Sequence, residues 1–378
     1  MVKLYGRIHK KVDILRHVGH PDQLGGVKLV ELSDSFEHGV RAALVKTGEL
    51  NFLIAIDRTM DIVNTEYKGI PLAFISPTGV VAPSFYEPEG IGWVRGFAGG
   101  LLTTCGLTYT GAPTVDQSEQ LGLHGRISYS PAKLIHAGGQ WNGDDYVLAL
   151  EGESRESRVF EPNITLKRRI ETKLGEKRIM IHDKVTNEGW DRQPLMVLYH
   201  MNFGFPLLDT SSRLVSTSCM YFPRDAEARA GAEKFNEFQP PTRGFKEKVY
   251  IHDMAVDKEG YSYSAIINEK LLNGLGFYIK FRKSELPRLI EWKMMGEGTY
   301  VLGMEPSNGF VMGRDKDRAF GTLQFIDGQE VKEFHLELGV LEGEEIKKYE
   351  EMINTITKKT KSKMVEDVNE FLKAIKKK

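Results

Sequence analysis

Leu195–Leu208, LMVLYHMNFGFPLL, is an apolar run that drives into a histidine, His200, followed closely by Asn202 and then by aromatic, Gly and Pro residues that bend the backbone. Such a run reads as a buried strand whose end delivers an imidazole to a cavity. Just before it, Val185–Gly189 (VTNEG) supplies a polar turn from an earlier alternating strand. Gly122–Arg126 (GLHGR) and Tyr300–Asn308 (YVLGMEPSN) have the same character, a polar group carried on or beside glycine-rich or apolar chain. The expectation is that His124, His200 and Glu305 meet in one cleft.

Working outward, the strand rhythm continues. Asn51–Ile56, Ile62–Tyr67, Thr165–Ile170, Arg178–Val185, Val249–His252, Tyr261–Asn268, Phe277–Phe281, Arg288–Lys293, Tyr300–Met304, Gly321–Phe325 and Lys332–Leu341 all read as strands. Gly, Pro and Asn turns separate them, and Leu174-Gly175-Glu176 marks a hairpin. Many short strands with almost no interior helical period predict an all-β protein, a large antiparallel sandwich. Helical spacing is confined to the ends: Ile8, Val12 and Leu15 near the start, then Ile346, Tyr349, Ile353 and Ile356, then Met364, Val368, Phe371 and Ile375. Residues 1–342 are therefore expected to form the sandwich, with 1–18 as an N-terminal helix or arm, and 343–378 a C-terminal helical tail. The tail packs on the body or on a sister subunit, which leaves a homo-oligomer open. The polar stretch Ala226–Glu247 reads as one long surface excursion.

Composition narrows the partners. The chain has 378 residues and a formal net charge of −1, so no basic field attracts nucleic acid or anionic membrane. No apolar segment approaches the roughly 20 residues that span a bilayer. The N-terminus lacks the apolar core of a secretory signal, and Cys105 and Cys219 stand outside any CxxC spacing; both point to a cytoplasmic protein with reduced thiols.

The order HGR, then TNEG leading to YHMNFG, then GMEPSN resembles the aldose 1-epimerase (galactose mutarotase-like) superfamily. Gln23–Gly26, Asp57–Ile62 (DRTMDI) and Gly99–Leu107 (GGLLTTCGL) look more particularly like its DUF4432 branch, over most of residues 20–342. The resemblance implies a twisted β-supersandwich that holds a sugar, with Glu305 matching the base, His200 the general acid and His124 the second histidine. Arg95 in WVRGF takes the place of a substrate-binding arginine, although the pattern around it differs. Arg126 after His-Gly is not the usual context, and no residue matches the substrate-binding aspartate of mutarotases.

The chemistry suits these residue types. Opening a cyclic hemiacetal removes the anomeric hydroxyl proton while the ring oxygen gains one, and an imidazole has an ordinary pKa of about 6.5. Arg95, Arg126 and Asn202 would hold hydroxyls, and Trp292 or Trp93 would face the C–H surface of a sugar. Anomerisation requires no metal or organic cofactor, although two histidines and a carboxylate could also bind a divalent ion. The leading expectation is thus a carbohydrate isomerase. Isomerisation or ring-opening hydrolysis of a keto-sugar, uronate or keto-cyclitol is the alternative, and carbohydrate binding without catalysis a third. Asp57, Arg58 and Asp61 read as a structural turn with a salt bridge, with Arg58 able to reach the cleft.

Overall fold

In the computed structural model, which describes residues 1–376, three large sheets enclose the core. The eight-stranded sheet runs, edge to edge, Lys133–Asn142, Asp145–Ser157, Asn163–Lys173, Arg178–Asn187, Val331–Glu342, Leu275–Arg282, Tyr261–Asn268 and Ser212–Ser216. The seven-stranded sheet runs Lys363–Met364, Ser218–Pro223, Lys248–Met254, Arg288–Gly296, Thr299–Ser307, Leu198–Phe203 and Thr103–Cys105. A five-stranded sheet, Gly26–Glu31 to Ile70–Pro71, adds to the same core. Adjacent long strands are antiparallel throughout.

Period two decides what each face carries. In Leu198–Phe203, Tyr199, Met201 and Phe203 enter the main core, while Leu198 joins a second apolar cluster on the other face. His200 and Asn202 share the Leu198 side by alternation. The neighbouring strands obey the same split: Leu302 and Met304 lie in the main core, and Val249, Ile251 and Ile290 in the second cluster. The seven-stranded sheet is thus buried on both faces, and the cleft opens on the side away from the main core.

The terminal segments differ in how they pack. Glu344–Ile356 is a helix that buries Ile346, Tyr349 and Ile353 against Tyr263, Ala265 and Ile267 of the large sheet. Val368–Ile375 is a second helix, and its fully buried Phe371 meets Phe222 and Phe310 in the second cluster. Asp367 caps that helix by accepting the Glu370 N–H at 2.9 Å. Asp367→Ala is expected to destabilise this segment by about 0.5–2 kcal/mol, read as a lower urea midpoint or faster amide exchange over residues 368–375.

Three expectations are corrected. The N-terminal helix, Lys11–His17, buries Ile14, whereas Ile8, Val12 and Leu15 are exposed. Ile8 belongs to a small hairpin strand, Arg7–His9, so the stripe was never on one helix. The strand expected at Gly321–Phe325 begins only at Gln324, because Arg314–Phe320 is an interior helix that ends at Gly321 in the left-handed region. That helix lacks an apolar period because its inward side is charged: Arg314 and Arg318 both donate to Asp116. The excursion Ala226–Glu247 is also more than surface, since Ala228, Ala232 and Phe238 are buried.

Candidate active site

His200 and Glu305 are brought together by sheet register. The pairs Leu198↔Ser307 and Met201↔Met304 bracket them, so the two side chains stand opposite each other on neighbouring strands and the same face. Nε2 of His200 lies 3.3 Å from Oε1 of Glu305, and both side chains are almost wholly buried. Gly303, two residues before Glu305 on the same face, makes room for the carboxyl: a Cβ there would fall 2.2 Å from Oε1.

His124 reaches the same place from a loop. Its backbone is left-handed (φ 57), and Gly125 continues the turn at φ 82, where a Cβ would lie 2.3 Å from the Gly106 carbonyl. The His124 N–H donates to Gly111 O at 3.0 Å, and Gly111 N–H donates back to His124 Nδ1 at 3.4 Å. Nδ1 is therefore an acceptor, which places the ring proton on Nε2. The His124 ring lies 4.9 Å from that of Trp93 and 5.7 Å from that of His200.

These groups line a cleft of about 470 Å³. Its remaining wall is mostly hydrocarbon, from Ile91, Val94, Phe97, Pro113, Leu123, Val249, Ile290 and Val311. Trp292 stands 5.4 Å from the His200 ring and donates its indole N–H to Glu247 at 2.8 Å. Glu247 in turn accepts from Arg224 at 2.7 Å, and both line the cleft. A larger cavity of about 610 Å³, bordered by Lys177, Tyr278 and Tyr349, contains no histidine. His124, His200 and Glu305 converge in the smaller one.

Burial governs the protonation states. It pushes the Glu305 carboxyl well above the usual range, with the nearby charge of Glu247 adding to the effect and Arg224 opposing it. It pushes His200 well below the usual range, His124 adding to this and the Asn202 amide partly offsetting it. Burial thus favours the protonated carboxyl of Glu305 and the neutral imidazole of His200. His124 is pushed down to about 4 by burial and by Arg224. It is expected to stay neutral down to about that pH, which imidazole NMR checks; an inflection near 6.5 assigned to His124 would contradict it.

Several residues lie elsewhere than expected. Arg95 is exposed and pairs with Glu87 at 3.1 Å, outside the cleft wall, since its 3-10 turn, Gly92–Gly96, directs Trp93 inward instead. Arg126 is exposed beside the Tyr86 ring and borders a separate pocket with Thr108 and Glu156. Asn202 is fully buried, donating to Gly100 O and His200 O, so it touches His200 rather than a ligand. Arg58 is buried too, spent on the carbonyls of Ser128, Val81 and Gly96. Asp57 and Asp61 pair with Arg41 and Arg168, not with Arg58.

Arg224 and Glu247 were missed by sequence reasoning. They stand at the two ends of the excursion, and the pair Pro223↔Tyr250 closes its base, which brings them together. The signal was a polar residue at each strand boundary, Arg224 directly after Ser218–Pro223 and Glu247 directly before Lys248–Met254.

The fold is a galactose mutarotase-like β-supersandwich. The sequence profile of DUF4432, a domain of unknown function, matches residues 37–340, and the chain belongs to that family. No curated protein sequence matches it. Among solved structures, a candidate aldose 1-epimerase from Klebsiella pneumoniae superposes with a TM-score of 0.86 at 23% identity, covering 92% of this chain and 93% of that one. A galactose mutarotase-like protein from Clostridium acetobutylicum gives 0.58 at 13% identity, covering 83% and 98%. Galactose 1-epimerase from Lactobacillus acidophilus gives 0.55 at 11% identity, covering 84% and 99%. At these identities the likeness establishes the fold.

Proposed function

We propose that this protein is a carbohydrate isomerase that opens and recloses a sugar ring, an aldose 1-epimerase-like activity. The observation that carries the reading is the 3.3 Å contact between Glu305 and His200 in the wall of a cleft large enough for a small ligand. Passing the shared proton across that contact gives a carboxylate beside an imidazolium, a base and an acid side by side. Glu305 takes the anomeric hydroxyl proton while His200 protonates the ring oxygen, and the ring opens to the aldehyde. Rotation about the first carbon–carbon bond and reclosure with the roles reversed give the other anomer, so the proton count of the pair is restored. His124 donates Nε2–H to a ligand oxygen and stays neutral throughout. Trp292 and Trp93 supply flat apolar surface for a sugar's C–H face. Arg224 replaces Arg95 as the cationic hydroxyl-holding group.

Exchange NMR between the anomers of an aldose panel tests this reading. At least one aldose is expected to exchange faster with protein than in buffer at the same pH. No acceleration for any of them would count against it.

A second reading acts on a keto-sugar, uronate or keto-cyclitol, by proton abstraction next to a carbonyl or by ring-opening hydrolysis. Two observations favour it: the burial-raised Glu305, a stronger base than an ordinary carboxylate once ionised, and the largely hydrocarbon wall. Deuterium from solvent would then enter carbon, which anomerisation never causes. Saccharide binding left intact by Glu305→Gln, with no turnover of any panel member by the parent chain, would mark a binding protein.

A further inference from the structure

On the opposite side of the sandwich, the eight-stranded sheet turns a different cluster to solvent. Arg178–Asn187 and Val331–Glu342 are neighbours, and their register places His182 directly opposite His335. Glu333 is two residues before His335, hence on the same face. Ile181 and Asp183, which flank His182, are buried inward, so the imidazole projects outward.

The three side chains are arranged around one point. The rings of His182 and His335 stack with centroids 4.2 Å apart. Both Nε2 atoms face the same carboxylate oxygen, Oε2 of Glu333, at 3.1 Å and 3.7 Å. Potential ligand atoms of all three lie within 4.8 Å of one another, the one such group of three among the described residues. The other oxygen of Glu333 is held by Lys184 at 2.9 Å, which leaves Oε2 toward the rings.

A second carboxylate sets the orientation of His335. Glu285 accepts the His335 backbone N–H at 2.7 Å and lies 3.0 Å from its Nδ1. With Nδ1 donating to Glu285, Nε2 is left as a lone-pair donor facing Glu333. Metal-bound histidines characteristically have such an outer carboxylate partner. Two imidazoles and a carboxylate, drawn from i and i+2 of one strand and the facing position of the next, match the nitrogen and oxygen donors preferred by borderline divalent metals.

We propose that His182, His335 and Glu333 form a surface site for a divalent transition metal of the zinc class, with water completing the coordination. The ion bridges two neighbouring strands of the largest sheet on the face remote from the cleft. The proposal does not depend on the reaction assigned to Glu305.

The test is calorimetric titration of Zn²⁺ into the untagged, chelator-treated full chain. Binding is expected to saturate at one equivalent in the micromolar range and to raise the unfolding temperature. His182→Ala or His335→Ala should abolish it, and Glu285→Gln should weaken it by about 10–100-fold. Because a variant can fail by misfolding, Co²⁺ is added to the unaltered protein as well, where it should selectively broaden the imidazole resonances of His182 and His335. Absence of saturable Zn²⁺ binding, binding undiminished in the folded His182→Ala/His335→Ala double variant, or broadening confined to other histidines would overturn the site.

Discussion

Glu305→Gln is expected to lower the anomerisation rate by about 10²–10⁴-fold, the span one well-placed proton-transfer group contributes. The amide keeps the volume and the acceptor oxygen of the acid, so ligand binding should survive while proton exchange does not. The fold should survive as well. Burial favours the protonated form of Glu305, which the neutral amide resembles more than it resembles a carboxylate. Activity of the parent chain should follow a bell-shaped pH profile. Its acid limb is expected below the ordinary histidine range, because burial lowers His200, and its alkaline limb above the ordinary carboxylate range, because burial raises Glu305. Exchange NMR on the best aldose reads both results, and a Glu305→Gln rate equal to that of the parent would remove the carboxyl from the mechanism.

The largest stability loss is expected at Asp183, far from that chemistry. Arg168, the largest fully buried side chain, donates to Asp183 in bidentate fashion at 2.9 and 2.6 Å, and reaches Asp61 at 3.1 Å and Thr59 O. Tyr199 donates its hydroxyl to Asp183 at 2.8 Å, and Thr104 donates to Asp61. The network joins all three sheets, since Arg168 and Asp183 belong to the eight-stranded, Tyr199 and Thr104 to the seven-stranded and Asp61 to the five-stranded. Asp183→Ala leaves a buried guanidinium with one acid instead of two, and removing one partner of a buried pair costs about 3–5 kcal/mol. Urea denaturation measures it; a loss under about 1 kcal/mol would mean that Asp61 alone satisfies the arginine.

Asp61 adds a pH dependence of its own. Burial raises its pKa to about 6, against the partly offsetting pull of Arg168. Between its ordinary range near 4 and about 6, the folded chain holds this proton and the unfolded chain does not. Its contribution to stability is present at the acid end of that window and is lost as pH rises through 6. Asp61→Asn should flatten that portion of the stability profile.

The all-β class was legible in the chain, because alternation and turn residues are local signals. Tyr261–Asn268 appears as a strand with the bounds expected, and most others lie within a few residues. The interior helix was not legible: Arg314 faces inward by pairing with Asp116, and Asp317 by accepting from the Phe310 N–H and the Thr322 hydroxyl, so no apolar period marks them. His124, His200 and Glu305 stood out because each interrupts apolar or glycine-rich chain. Arg95 and Arg126 stood out for the same reason, yet both lie outside the cleft.

By itself, the sequence determined the strands, the turns and the three side chains most out of keeping with their surroundings, since each depends on residues a few positions away. Tertiary structure alone decided which polar groups share a space. Register placed His200 opposite Glu305, closure of the 226–247 excursion brought Arg224 to Glu247, and neighbouring strands set His182 against His335. Those pairings join residues from 23 to more than a hundred positions apart, and the physical reason is that sheet hydrogen bonding, which positions them, leaves no mark on either strand's own sequence.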